Sequence, residues 1–380
     1  MKNKKLLFIL AAVAILAAVL IIVTQFQKPK ESTENVIKIG AILPLTGTSS
    51  LIGEWVKNGI DLAVEEINIT GGVDGKKLEI IYGDSKNDPK EGIAVFNHMF
   101  SLYKMPVVIS AMTGVTNAII PIADKNKVVL FATAASASGL TDQSEWVFRL
   151  FITADIDAKT MAEFAINKLK IKTAGILHVN DDMGISFSKI FKTTFENGKG
   201  KILFIEGFDR GTTDFRNIIY KIKAYDAEAI YILGYDNNLG VLPKQIRENG
   251  IKSRFLSIGT IAQQNVILQA GDSLEGAYFT TTEFSSELPK TEIAKNFSIR
   301  YKAKYGSDAN YFAAFAYDSV SLIVNSIKRG GYESDKIRNS ILEINNFPGV
   351  IGKITIKYNG DADFPMVVKT IKKGKVEDVE

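Results

Sequence analysis

The chain contains no cysteine and only two histidines in 380 residues. Without cysteine there is no disulfide, no thiol nucleophile, no cysteine-held metal and no lipid-modified cysteine near the N-terminus. His98 and His178 stand far apart, and neither has a second histidine or a metal-spaced carboxylate beside it. Each therefore reads as a structural residue. A G-x-S-x-G nucleophile elbow is missing, as is a dinucleotide-binding glycine fingerprint after the first strand. "GGVDGKK" has the look of a phosphate loop, but the interval from Gly71 to Gly75 is one residue short, and Lys77 stands where a serine or threonine would meet magnesium. It reads as a turn. The paired acids of "NDDMG" and "NGDAD" read as solvated turns. No enzyme activity, cofactor or metal is expected.

A surplus of charge of one sign is lacking too. The formal net charge is +4, but residues 1–30 hold five lysines and no acid, which leaves 41 basic against 42 acidic residues in the body. No basic stripe marks a nucleic-acid groove. Hydrophobic residues make up 46% and charged residues 23%, the composition of an ordinary globular protein, and the length calls for two domains rather than one.

One long apolar run is present. Leu6 to Val23 carries no charged or strongly polar residue and follows Lys2, Lys4 and Lys5. As a helix it would span roughly 27 Å, close to the hydrocarbon thickness of a bilayer. Its alanines lie in mid-segment rather than at a small-x-small site after it, which favours an uncleaved anchor over a cleaved signal. With the lysines held inside, the body faces outward. Residues 1–30 are thus expected to be a membrane anchor or signal segment and residues 31–35 a linker, placing the protein at the cell membrane with its body extracytoplasmic.

From Val36 onward, short apolar strands alternate with amphipathic helices. "VIKIGAIL" reads as a strand. In the helix that follows, Ile52, Val56, Ile60, Ala63, Val64 and Ile67 share one face, and Ser49 or Ser50 can cap its start. Strict alternation implies a parallel sheet covered on both faces. The pattern restarts after "WVFRLFITADIDAKT". A mainly helical stretch follows at roughly 289–345, and the last 30 residues read as two strands joined by a turn at "NGDAD". The expected class is α/β with two Rossmann-like lobes: residues 36–151 plus 282–349 in the first, 152–281 plus 350–380 in the second. The hinges fall near 152, 281 and 350.

Ligands of open α/β sheets bind beyond the carboxyl ends of the strands. The loops at those ends here are "LPLTGTSSLIG", "ISAMTGVTN", "FATAASASGLT", "LHVNDDMGIS", "LGYDNNLG" and "SIGTIAQQN". They are poor in chargeable groups and rich in small and hydroxyl residues. Thr113 and Ser136 supply hydroxyls, and helix starts supply N–H groups where the dipole favours an anion. Ala134 and Ala135 leave room for a ligand to approach the backbone.

With "IKIGAILPLTG", "GIDLAVEEINITGGVDGKKLEIIYGDSKNDP", "ATAASASGLT", "VFRLFITADIDAKTMAEF", "GTTDFRNIIYKIK" and "LPKQIRENGIKSRFLS" in this order, the sequence resembles the type I periplasmic binding proteins of ABC transporters, in the leucine/isoleucine/valine-binding branch. The resemblance covers about residues 36–375. It implies capture of a small ligand between two closing lobes and delivery to a membrane permease. It also implies that Thr113 and Ser136, through hydroxyl and backbone N–H, meet an amino acid's carboxylate, and that the Ala134 carbonyl and the Ser136 hydroxyl meet its ammonium group. The chain departs from the branch at three points. Gly259 stands where relatives place an acid for the ammonium, Met183 replaces a second-lobe tyrosine, and Ile52 replaces a first-loop aromatic. Tyr235 and Phe312 keep aromatic positions, and Asp236 is available to replace the missing acid. Ile52, Met112 and Met183 favour an apolar ligand body. Two ligands fit this reading: a branched-chain or other apolar amino acid, or an aliphatic or aromatic carboxylate or small amide without an ammonium. A ligand-sensing module acting through a partner is the rival role.

Overall fold

The computed structural model describes residues 36–284 and 289–379. The expected anchor (1–30) and linker (31–35) lie outside the described residues. No helix among the described residues is long and apolar enough to cross a membrane.

Two sheets carry the fold. The first is built from β1 (Val36–Leu43), β2 (Lys77–Asp84), β3 (Val107–Ala111), β4 (Val129–Thr133) and β5 (Val147–Arg149), in the order β2-β1-β3-β4-β5. All its pairings are parallel. β3 and β4 are buried at every position, as apolar strands covered on both faces must be. The helices that cover them are α1 (Ser50–Ile69), α2 (Pro89–Tyr103) and α3 (Thr113–Lys125). α1 turns Ile52, Val56, Ile60 and Ala63 inward, as the periodicity predicts. Ser49 precedes it without capping it; its hydroxyl takes the Asn87 side-chain amide at 3.1 Å instead. α2 is set by Asp88, which accepts the Lys90 and Glu91 N–H groups at 2.7 and 3.1 Å, with Pro89 at the first helical position.

The second sheet begins after α4 (Ala154–Asn167) with β6 (Thr173–Val179). It continues through α5 (Asp182–Asn197), β7 (Lys201–Phe208), α6 (Arg216–Ile222), β8 (Ala229–Leu233), α7 (Asp236–Glu248), β9 (Arg254–Ile258), α8 (Gln264–Ala270) and β10 (Tyr278–Thr282). The chain then returns to the first core as α9 (Glu292–Tyr305), α10 (Tyr311–Gly330) and α11 (Ser334–Leu342). Three short strands follow, β11 (Phe347–Gly349), β12 (Gly352–Ile356) and β13 (Ala362–Asp363), and then a hairpin, β14 (Met366–Lys372) and β15 (Lys375–Asp378). The second sheet runs β15-β14-β10-β9-β8-β6-β7, with β14 antiparallel to β10.

The last crossing departs from the expectation of 350. Val350, Ile351, Ile354, Ile356, Ala362 and Phe364 are buried in the first core, and Ile371 lies in the second. The chain therefore changes lobes after Phe364. The turn at "NGDAD" does join two paired strands, β12 and β13, but they form a small sheet of the first lobe with β11. It is the later hairpin that extends the second sheet.

In chain order, each set of five parallel strands is arranged 2-1-3-4-5, the doubly wound order with its switch point between the first and third strands. One crevice therefore opens at the ends of β1 and β3, and the other at the ends of β6 and β8. The crossings at residues 150–153, 282–284 and 364–366 bring the two crevices face to face.

Candidate functional site

Between the crevices lies a cavity of about 260 Å³, just below the range of roughly 300–1,000 Å³ occupied by drug-sized ligands. Its first-lobe wall is made by the ends of β3 and β4. Met112 and Ala134 leave these strands with φ of 72° and 51°, a left-handed conformation that costs a non-glycine residue about 1–3 kcal/mol. The two turns are tied together, since the Met112 N–H donates to the Ala134 carbonyl at 3.1 Å. Thr113 Oγ1 accepts the N–H groups of Ser136 and Ala137 at 3.1 and 3.4 Å. Its oxygen is thereby occupied and its proton left to donate. The Ser136 hydroxyl has no hydrogen-bond partner among the described residues.

Behind this wall stands Arg149, a fully buried guanidinium that donates to the Ala135 and Ala137 carbonyls at 3.3 and 2.6 Å and pairs with Asp361 at 2.7 Å. It fixes the loop from the side away from the cavity. α3 starts directly on this wall, with no side-chain cap on its N–H groups, and Thr113 and Gly114 line the cavity. Donor groups therefore converge at this end without a cationic side chain, a setting for an anion.

The side wall is aromatic. Phe312 stacks on Tyr311, Phe151 and Trp55 at centroid separations of 4.4, 5.5 and 5.9 Å. Ile52 and Met112 continue the apolar surface on this lobe, and Met183 and Phe187 face them from the second lobe. Also on the second lobe, the Tyr235 hydroxyl donates to Asp181 at 2.9 Å and the Arg210 guanidinium lies 3.9 Å from the Tyr235 ring centre. Burial pushes the Tyr235 phenol up, and the Asp181 charge adds to the rise.

Of the residues expected from sequence, Ile52, Met112, Thr113, Ala134, Ser136, Met183, Tyr235, Gly259 and Phe312 all line this one cavity. Ala135 is fully buried, with its carbonyl turned to Arg149. Asp236 opens α7, and its side chain lies outside the described residues. A side chain at position 259 would fit tightly: a Cβ there would lie 3.3 Å from the Tyr311 ring and 3.4 Å from the Thr280 carbonyl oxygen.

Sequence reading missed Phe151, Tyr311 and Asp157. The adjacency of Tyr311 to Phe312, and the place of Phe151 beside a lobe crossing, are the signals that could have found the aromatics. Asp157 lines the cavity and is buried, which raises its carboxyl to about 7 against a hydrogen bond from the Thr280 hydroxyl. Among the described residues no three metal-ligating side chains cluster.

A family model described as periplasmic binding protein matches residues 36–375. The chain is 27% identical, over 86% of its own length and 87% of the relative's, to a leucine-, isoleucine-, valine-, threonine- and alanine-binding protein of Pseudomonas aeruginosa. It resembles the crystal structure of a leucine binding protein of Thermotoga maritima with a TM-score of 0.84 and 28% identity, covering 90% of this chain and 98% of that one. It also resembles a branched-chain amino acid transporter substrate binding protein of Streptococcus pneumoniae, in complex with isoleucine, with a TM-score of 0.83 and 30% identity, covering 91% and 99%.

Proposed function

The chain belongs to the periplasmic binding protein family, and we propose that within it this protein captures an apolar amino acid of the branched-chain class between its lobes and delivers it to an ABC permease. It is a solute-binding receptor, and its family binds substrates rather than transforming them. The observation that carries the reading is the polarity of the cavity. One end offers the hydroxyls of Thr113 and Ser136 and an uncapped helix start, as a carboxylate requires. The flank offers Phe151, Phe312, Ile52 and Met183, as an aliphatic side chain requires. Closure is a population shift driven by the ligand's preference for the shut form. The body works outside the cytoplasm, tethered by the apolar run from Leu6 to Val23; extraction of membranes at high pH should leave the protein in the pellet.

Thermal unfolding of the purified protein tests the ligand class. Leucine, isoleucine and valine at 1 mM should raise the melting temperature, with benzoate and 4-methylpentanoate giving smaller shifts. A rise with the acids that carry no amine and none with the amino acids would remove the amino acid reading and leave a carboxylate receptor.

A further inference from the structure

Among the described residues three carboxylates line the cavity, in three different settings. Asp182 is exposed and Asp181 partly so, with Asp181 accepting the Tyr235 hydroxyl and the Gly184 N–H. Asp157 is 1% exposed. One of its oxygens accepts the Thr280 hydroxyl, while Oδ2 is buried without a hydrogen-bond partner among the described residues. A buried carboxylate with an unmet oxygen is costly unless it holds a proton or faces a cation. Among the described residues the cavity's one cation, Arg210, lies over the Tyr235 ring, and none is paired with Asp157.

We propose that Asp157 is the specificity residue of this site, with Oδ2 receiving the ammonium group of the ligand while its carboxylate lies against Thr113, Ser136 and the start of α3. The proposal rests on the amino acid reading above. It deepens that reading by naming the group that distinguishes an amino acid from the same acid without its amine. Asp157 stands in the first turn of α4, directly after the crossing at 150–153, and its partner Thr280 lies two residues before the next crossing. The ammonium is therefore met at the base of the cleft, where closing the lobes removes water from the pair.

A consequence for pH follows from the surroundings of Asp157. On its own helix, Asp155 is exposed and accepts the Ser138 hydroxyl. β10 contributes Thr280 and Tyr278, and β8 the Tyr231 phenol, raised first by burial and then by the Asp157 charge, its hydroxyl without a hydrogen-bond partner among the described residues. On β9, Ser257 bonds the Ile232 carbonyl and Arg254 lies exposed at the far end. On β14, Lys369 pairs with Asp378 and Lys372 with Glu377. α5 brings Asp181 and Asp182 at its start, its remaining charges being exposed. His178 on β6 bonds the Val179 carbonyl. None of these groups supplies Asp157 with a cation, so the empty site holds a proton there below about pH 7, where the Asp157 carboxyl titrates. An entering ammonium replaces that proton, which passes to solvent.

Calorimetric titration of the protein with leucine and with 4-methylpentanoate, from pH 5.5 to 8.5, tests this. For leucine the affinity should rise about tenfold per pH unit up to about pH 7 and then level. Titrations in buffers of different ionisation enthalpy should show close to one proton released at pH 6, a readout that needs no variant. 4-Methylpentanoate should bind more weakly as pH rises. Asp157→Asn should lower leucine affinity at pH 7.5 on the order of tenfold or more, about 1.4 kcal/mol or more, and remove the slope. If leucine binds the variant and the native protein equally, with the same pH profile, the role given to Asp157 is wrong and the receptor reading stands. If no amino acid binds while 4-methylpentanoate does, the amino acid reading falls and the ammonium role falls with it.

Discussion

The Ser136 hydroxyl bonds no described residue, whereas Thr113 Oγ1 holds two N–H groups of the same loop. The two hydroxyls therefore separate under mutation. Ser136→Ala should leave stability within about 0.5 kcal/mol, the ordinary range for a change that breaks no structural feature. It should weaken ligand binding by about 1.5–3 kcal/mol, the worth of a hydrogen bond to a charged group. Thr113→Val should weaken binding similarly and in addition cost about 1–3 kcal/mol of stability for each N–H group it strands. Urea unfolding together with titration calorimetry reads both quantities. That both residues line the cavity was legible because each sits in the loop at the end of a parallel strand, where a ligand of such a sheet is met. Asp157 was not legible. In "ITADIDAKT" both aspartates sit in the first turn of a helix, where the dipole favours an acid whatever its surroundings. Only packing distinguishes Asp155, exposed on Ser138, from Asp157, buried on Thr280. Gly259 shows the same limit, since the tight contact a side chain there would make is with Tyr311, which lies 52 positions away in sequence but against it in space.

At the level of elements, the strands and helices of both lobes follow from alternation and periodicity, because parallel strands buried on both faces leave short apolar runs set between amphipathic helices. The segment after α11 was harder. Its strands are short and half polar, and nothing local says which sheet they join. What decides it is a carboxylate: Asp318, buried in the middle of α10, accepts the Val350 and Ile351 N–H groups at 2.9 and 3.0 Å. α10 thereby holds the connection between β11 and β12 in the first lobe, and the crossing is delayed until after Phe364. Asp318→Ala should strand both N–H groups in the core and cost roughly 2–6 kcal/mol, from about 1–3 for each unsatisfied group. Asp318→Asn retains one acceptor and should cost less. Ligand affinity should fall little in either variant, because Asp318 does not line the cavity; a large loss of affinity at unchanged stability would show that the tie sets the angle between the lobes instead.

For the whole molecule, the two buried aspartates couple stability to pH. Burial raises both Asp157 and Asp318 to about 7, against about 3.9 in the unfolded chain. Between these values the folded protein holds more protons than the unfolded chain, so the stability these groups contribute is full below about pH 4 and falls as pH rises to about 7. The ligand-free protein should therefore lose melting temperature between pH 5 and 8, and Asp157→Asn should lose less. Binding changes the sign of the part that belongs to Asp157. An ammonium paired with the carboxylate makes the charged form the favoured one, so the ligand's stabilisation, which grows with the ratio of ligand concentration to Kd, increases over the same pH interval. At a fixed 1 mM leucine, the rise in melting temperature should be larger at pH 7.5 than at pH 5.5 in the native protein and equal at the two pH values in Asp157→Asn. An equal rise in the native protein would mean that Asp157 keeps its proton when the cavity is filled. The lobes would then be closing on a ligand that brings no cation to the base of the cleft.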